Sequence, residues 1–139
     1  MREIKFRGWH TYHKKMFSVE KMTQDQLTLL PNGQFINVNG QSTKLSTIFS
    51  QDEFIPLQFT GLHDKNGKEI YEGDIVKMLD EWIDHYTLYS NHQIEFGSGC
   101  FRLENGVPLY DCLDEDSDFE KLVLEVIGNI YENPELLTH

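Results

Sequence analysis

The sequence predicts a mostly β fold with an N-terminal β-hairpin region and one or two short helices. Three observations predict it. Residues 58–77 read QFTGLHDKNGKEIYEGDIVK, a run dense in turn residues between short apolar stretches, echoed at 125–137 by EVIGNIYENPELL. Asn32-Gly33 and Gly97-Ser98-Gly99 each separate two apolar stretches at hairpin spacing. Nine Phe, six Tyr and two Trp offer large burial to a chain that is only 39% hydrophobic, which argues for a packed core and against disorder.

The elements follow in order. Residues 2–9 alternate, with Ile4 and Phe6 on one face and Glu3, Lys5 and Arg7 on the other, the pattern of a half-buried strand. Residues 16–19 return as the second arm of a hairpin, and residues 23–26 open a short helical turn. Residues 27–30 and 35–38 flank Pro31-Asn32-Gly33 as a hairpin, because Asn-Gly suits a turn that needs positive φ. Asn39-Gly40 marks the next turn, and the Ser/Thr-rich residues 41–51 read as a connector. Residues 54–60 form a strand in which Pro56 cannot donate to a ladder, which places it at an edge or a bulge.

Asp64-Lys65-Asn66-Gly67 then turns the chain, since Asp bonds the backbone two residues on and Gly tolerates a left-handed conformation. Glu72-Gly73-Asp74 is a second tight turn leading into Ile75 and Val76. Residues 79–92 mix Trp82, Ile83, Tyr86, Leu88 and Tyr89 with polar side chains and read as a short amphipathic helix or an ordered loop. Residues 94–96 and 100–103 form a hairpin around Gly97-Ser98-Gly99. Residues 111–120 are an acidic loop or the start of a helix, and 123–131 the last strand, with Val126, Gly128 and Ile130 sharing a face. Asn133-Pro134-Glu135 reads as the start of a helix of a turn or so, with Asn as N-cap and Pro first. Gly73, Gly97, Gly99 and Gly128 fall where the corners of a strongly bent small barrel belong.

At 139 residues the chain predicts one domain, long enough to bury about 68% of its unfolded surface without a disulfide or metal. Within it the charge is divided. Residues 1–50 hold seven basic and three acidic side chains, and residues 51–139 hold five basic and twenty acidic ones, giving +4 and −15 within a net −11. The acidic body repels DNA and anionic membranes, which leaves the basic first third as the polyanion contact. Its simpler role is to neutralise part of the acidic body, of this chain or of a neighbour. With no secretory h-region and no apolar run near about 18 residues, the cytosol is the expected compartment and Cys100 and Cys112 are expected as thiols.

Three segments carry a family likeness: IKFRGW at residues 4–9, and the runs 58–77 and 125–137. They make up over a quarter of the chain, and the strings DKNGKEIYEGDIV and VIGNIYENPELL are long and distinctive. In these segments the chain resembles the YopX family of phage and prophage proteins. The resemblance implies a small SH3-like β-barrel with additions, an origin in phages or prophages of low-GC Gram-positive bacteria, and self-association. No activity is established for the family, so no catalytic residue transfers. Its motif positions here are Thr60, Gly61, Leu62, Asp64, Gly67, Tyr71, Gly73, Asp74, Ile75, Val76, Gly128, Asn129, Ile130, Tyr131 and Pro134, and they read as structural positions. Residues 22–54 and 79–92 lie outside the match.

Candidate chemistry is sparse. Glu72 and Asp74 would share a strand face, as a pair for acid–base work or a divalent ion needs, and with Asp64 they would make a carboxylate- or metal-dependent hydrolase. The simpler reading ties the turn by bonding Asp74 to nearby amides, and no His or Cys stands close in sequence. Asp114, Asp116, Asp118 and Glu125 are spaced like EF-hand ligands, but Phe119 stands where the loop needs Gly and Lys121 where it needs an apolar residue. A solvated acidic loop is the better reading. His10 with His13, and His85 with His92, lack a third ligand at a recognisable spacing, and Cys100 and Cys112 lack a CxxC. GxSxG, P-loop, GxGxxG and HExxH motifs are all missing. Catalytic, metal and cofactor sites are therefore not expected.

Basic residues interleave with aromatics near the start. Phe6 and Phe17 suit the core, which leaves Arg7, Trp9, Tyr12, Lys14 and Lys15 as candidate nucleic-acid contacts. The expected function is a non-enzymatic phage accessory protein in the cytoplasm of a bacterial host, working as a homo-oligomer or with a host or phage protein. Nucleic-acid binding by the N-terminal third is the alternative. No membrane, cofactor or small-molecule substrate is called for.

Overall fold

A computed structural model describes residues 3–38, 47–83, 86–109 and 123–137. The fold is mostly β, and includes a sheet curled into half a barrel. Among the described residues no helix is long and apolar enough to cross a membrane. The chain forms two compact units, Glu3–Gln58 and Phe59–His139. By sequence the first holds six basic and five acidic side chains, and the second five basic and eighteen acidic ones, so all of the net negative charge belongs to the second.

In the first unit β1 (Phe6–His10) pairs antiparallel with β2 (Lys15–Phe17), the hairpin the sequence implies. Ile4 is 63% exposed and precedes the strand, so the alternation of residues 2–9 does not extend back to it. Helix α1 (Val19–Gln24) starts earlier than the turn expected at residues 23–26. Its N-cap is Ser18, whose hydroxyl accepts the Lys21 N–H at 3.1 Å, and Glu20 sits at the positive end of the helix. Strands β3 (Leu27–Leu29) and β4 (Phe35–Asn37) form the Asn-Gly hairpin, with Gly33 at φ 87, and β5 (Thr47–Ile48) pairs with β4.

β6 (Phe54–His63) pairs with β1 along residues 54–58. Pro56 lies opposite Gly8, before the pairing with the next strand begins at Phe59, so its missing N–H breaks no ladder. Met22, Phe35 and Phe54 form this unit's core, with Phe17, Leu27, Leu29 and Phe49 packed around them. Gly8 makes that packing possible, since a Cβ there would run into the Phe54 ring.

In the second unit β6 turns through residues 64–67 into β7 (Glu69–Tyr71), with a register shift between Phe59 and His63 and Gly61 at φ 86. A four-stranded antiparallel sheet follows, in the order β10 (Cys100–Leu103), β9 (Tyr86–Gly97), β8 (Asp74–Ile83), β11 (Val123–Asn129). Residues 79–92 thus belong mainly to strands β8 and β9, and the helix-or-loop expectation is corrected. A register shift between Asp80 and Ile83 breaks the two-residue period that would have announced a strand. The β9–β10 turn has Ser98 at φ 53 and Gly99 at φ 80.

Ile70, Val76, Ile94, Leu103, Leu109 and Leu124 form the core, each at most 1% exposed. β11 is bulged between Val126 and Gly128 and ends at Asn129, so Val126, Gly128 and Ile130 do not share one regular strand face. Pro134–Leu137 is a single 3-10 turn. The Asn133 side chain reaches back to accept the Asn129 N–H at 3.2 Å. Residues 39–40 and 111–120, with Cys112, His85, Phe119 and Lys121, lie outside the described residues.

Candidate functional site

The motif residues are engaged with the main chain. Asp64 is buried; its Oδ1 accepts the N–H groups of Asn66 at 2.8 Å and Lys68 at 2.9 Å, and its Oδ2 accepts that of Val126 at 2.9 Å. Burial pushes its pKa up, but the N–H groups of Val126, Lys68 and Asn66 and the Lys68 charge outweigh that and hold it below 3.8. Asp74 is 1% exposed and accepts the Tyr71 N–H at 2.7 Å, closing the Glu72-Gly73 turn. Gly73, at φ 86, donates its N–H to the Ile94 carbonyl at 2.8 Å and accepts from the Ile130 N–H at 2.9 Å. Gly67, at φ 81, donates to the Asp64 carbonyl. Asn129 Oδ1 accepts from the N–H groups of Tyr131 and Glu132, and Pro134 opens the 3-10 turn that follows.

Among the described residues no group of three His, Cys, Asp or Glu side chains is placed to hold a metal ion. Both ring nitrogens of His92 have partners, Glu104 and Ser90, each at 2.9 Å. Glu125 pairs with Lys65 at 3.4 Å. The Asp114, Asp116 and Asp118 run lies outside the described residues. Cys100 is a free, half-buried thiol.

Of the five candidate nucleic-acid contacts, three share one place. Tyr12 (84% exposed), Lys14 and Lys15 lie at the tip of the β1–β2 hairpin, where Lys14 takes φ 50. Lys15 Nζ stands 5.5 Å from the centroid of the Phe17 ring. Trp9 is 7% exposed, with no face free for a base, so it drops out as a stacking platform. Arg7 is half-buried in β1.

Next to that tip the first unit holds a pocket of about 400 Å³. Phe17, Phe49, Phe54 and Leu27 supply its apolar wall, and His10, His13, Asp25 and Asn37 its polar groups. The His10 ring meets Phe54 and Phe49 edge-on, at centroid distances of 5.2 and 5.8 Å, and lies 4.6 Å from His13. Burial, then the neighbouring His13, lowers the His10 pKa below 6.5, against a smaller opposing effect of Glu53. His10 Nδ1 accepts the His13 N–H at 3.2 Å, which assigns the proton of the neutral ring to Nε2. Asp25 caps α1 and pairs with Lys21 at 3.3 Å. The sequence signalled the His10–His13 pair. Asp25, Asn37 and Phe49 come from three separate elements or loops, and no local spacing connects them.

The family model described as YopX protein matches residues 5–138. The chain is similar to the crystal structure of protein EF1440 from Enterococcus faecalis, at 31% identity and TM-score 0.63 over 99% of both chains. It is also similar in fold to protein yopX from Bacillus subtilis, at 19% identity and TM-score 0.61 over 99% of both chains. The comparison with curated proteins gives no match. A match over nearly the whole length, on residues that hold the second unit's turns and strand ends together, places this chain in the YopX family.

Proposed function

We propose that the protein is a non-enzymatic phage or prophage accessory protein of the host cytoplasm that works by binding proteins, itself included, through its acidic second unit. The observation that carries this reading is the charge of residues 59–139, with eighteen acidic side chains against five basic ones. Such a surface steers basic partners toward it and rejects acidic ones. Asp64 and Asp74 support the non-enzymatic part, since their carboxylates accept main-chain N–H groups. An SH3-like barrel belongs to the same reading. The register shifts at Asp80 and Val126 bend long strands in the way a small closed sheet requires. Light scattering on the purified protein tests the reading: a homo-oligomer or a complex with a basic partner that loosens as salt rises supports it. A monomer at high concentration that takes no basic partner at low salt opposes it.

Nucleic-acid binding is the second reading, favoured by the exposed Tyr12, Lys14 and Lys15 on one hairpin tip. It predicts a gel shift at low salt that Lys14→Glu with Lys15→Glu abolishes.

A further inference from the structure

We propose that the pocket beside the β1–β2 hairpin receives the base of a nucleotide whose phosphate lies against Lys14 and Lys15. The inference rests on the second reading above and adds where the base goes.

The shape and chemistry of the pocket select the ligand. At about 400 Å³ it has room for one heteroaromatic ring with its sugar. Phe17 and Phe49 offer ring surface, and Phe54, 1% exposed, closes the floor. The polar groups supply both halves of a base-edge code: Asn37 donates and accepts, Asp25 accepts, and His10 donates from Nε2 while Nδ1 is held by the His13 N–H. A purely apolar guest would make no use of the Asn37 amide or the His10 Nε2–H. A cationic guest is disfavoured because cations already stand at the pocket, Lys15 over the Phe17 ring and Lys21 on Asp25. An anionic tail beside a planar ring fits the charges in place. Residues 3–58 are themselves near charge balance, with six basic side chains against five acidic ones.

The phosphate-bearing base can come from a single strand or from a free nucleotide, and the test separates the two. At low salt, binding is measured for a mixed-sequence single-stranded DNA of about 12 nucleotides, for the abasic backbone of equal length, and for free nucleoside monophosphates. The proposal expects the intact strand to bind about tenfold more tightly than the abasic one. Asn37→Ala and Phe49→Leu should bring the intact strand down to the abasic level and leave abasic binding unchanged. Mononucleotide binding that the same variants weaken, without strand binding, supports the pocket with a free nucleotide as its ligand and overturns the hairpin reading. Equal binding of intact and abasic strands overturns the pocket and leaves the hairpin reading standing. Binding of none of the probes overturns both. The intact-against-abasic comparison uses the unmodified protein, so a variant that folds poorly does not decide it.

Discussion

Asp64 Oδ2 accepts the main-chain N–H of Val126 at 2.9 Å, joining the Asp64–Gly67 turn to β11. One residue on, Lys65 donates its N–H to the Leu124 carbonyl at 2.9 Å. Leu124 and Val126 pair with Met78 and Val76 of β8 on the other side of the strand. A carboxylate and an amide of the turn therefore stand where a further strand would offer a carbonyl and an N–H. The turn caps an edge that would otherwise invite another chain.

Asp64→Ala leaves the N–H groups of Asn66, Lys68 and Val126 without their acceptor and should cost about 3 kcal/mol, since bonds to a charged group contribute roughly 1.5–3 kcal/mol each and the exposed amides recover water. Asp64→Asn keeps one acceptor oxygen and should cost less. Because folding lowers the Asp64 pKa below 3.8, its contribution is complete at neutral pH. It is lost as pH falls below the unfolded value and through the folded one. Urea unfolding at neutral pH and near pH 3 checks both statements: the gap between wild type and Asp64→Ala should narrow in acid.

Gly128 lies at the β11 bulge, where an added Cβ would stand 2.5 Å from Asn133 Oδ1. Gly128→Ala should destabilise by about 1–3 kcal/mol through that overpacking. Asn133→Ala removes the obstructing atoms along with the bond to the Asn129 N–H. The double variant should therefore lose less than the two single losses added together, which a double-mutant cycle measures directly.

The hairpins were legible because each turn demands an unusual backbone from a few adjacent residues: Asn32-Gly33, Asp64 to Gly67, and Ser98-Gly99 name themselves. The strands over residues 79–92 were not, because the register shift after Asp80 interrupts their alternation. Helix α1 begins earlier than the sequence suggests because its Ser18 cap directly follows β2, so residues 16–19 read equally as the arm of a hairpin. The resemblance located the motif positions, but it took the fold to bring Asp64 to Val126. The pocket was half legible: His10 and His13 are near in sequence, while Asp25, Asn37 and Phe49 meet them only through tertiary packing.

His10 should register acid in the first unit. Its pKa is lowered below 6.5 in the folded protein, so the unfolded chain binds its proton first. Its share of stability is present above pH 6.5 and declines as pH falls through the folded value. The ring resonances of His10, followed by NMR, should titrate below those of an unstructured histidine peptide, and His10→Gln should flatten the stability profile across that window.

Leu124 is 1% exposed within the second unit's core, on the strand that the Asp64 turn caps. Leu124→Ala should cost about 2–5 kcal/mol by opening a cavity there. Hydrogen exchange should then rise at Lys65 as well, whose N–H is held by the Leu124 carbonyl.

The most direct test of the account is affinity capture of the tagged protein from lysate of a phage-carrying Gram-positive host, with and without nuclease and at low and high salt. A specific protein retained through nuclease treatment and released by salt is the result expected of an acidic interaction module. Retention of nothing beyond the untagged control, or material that disappears with nuclease, would contradict it.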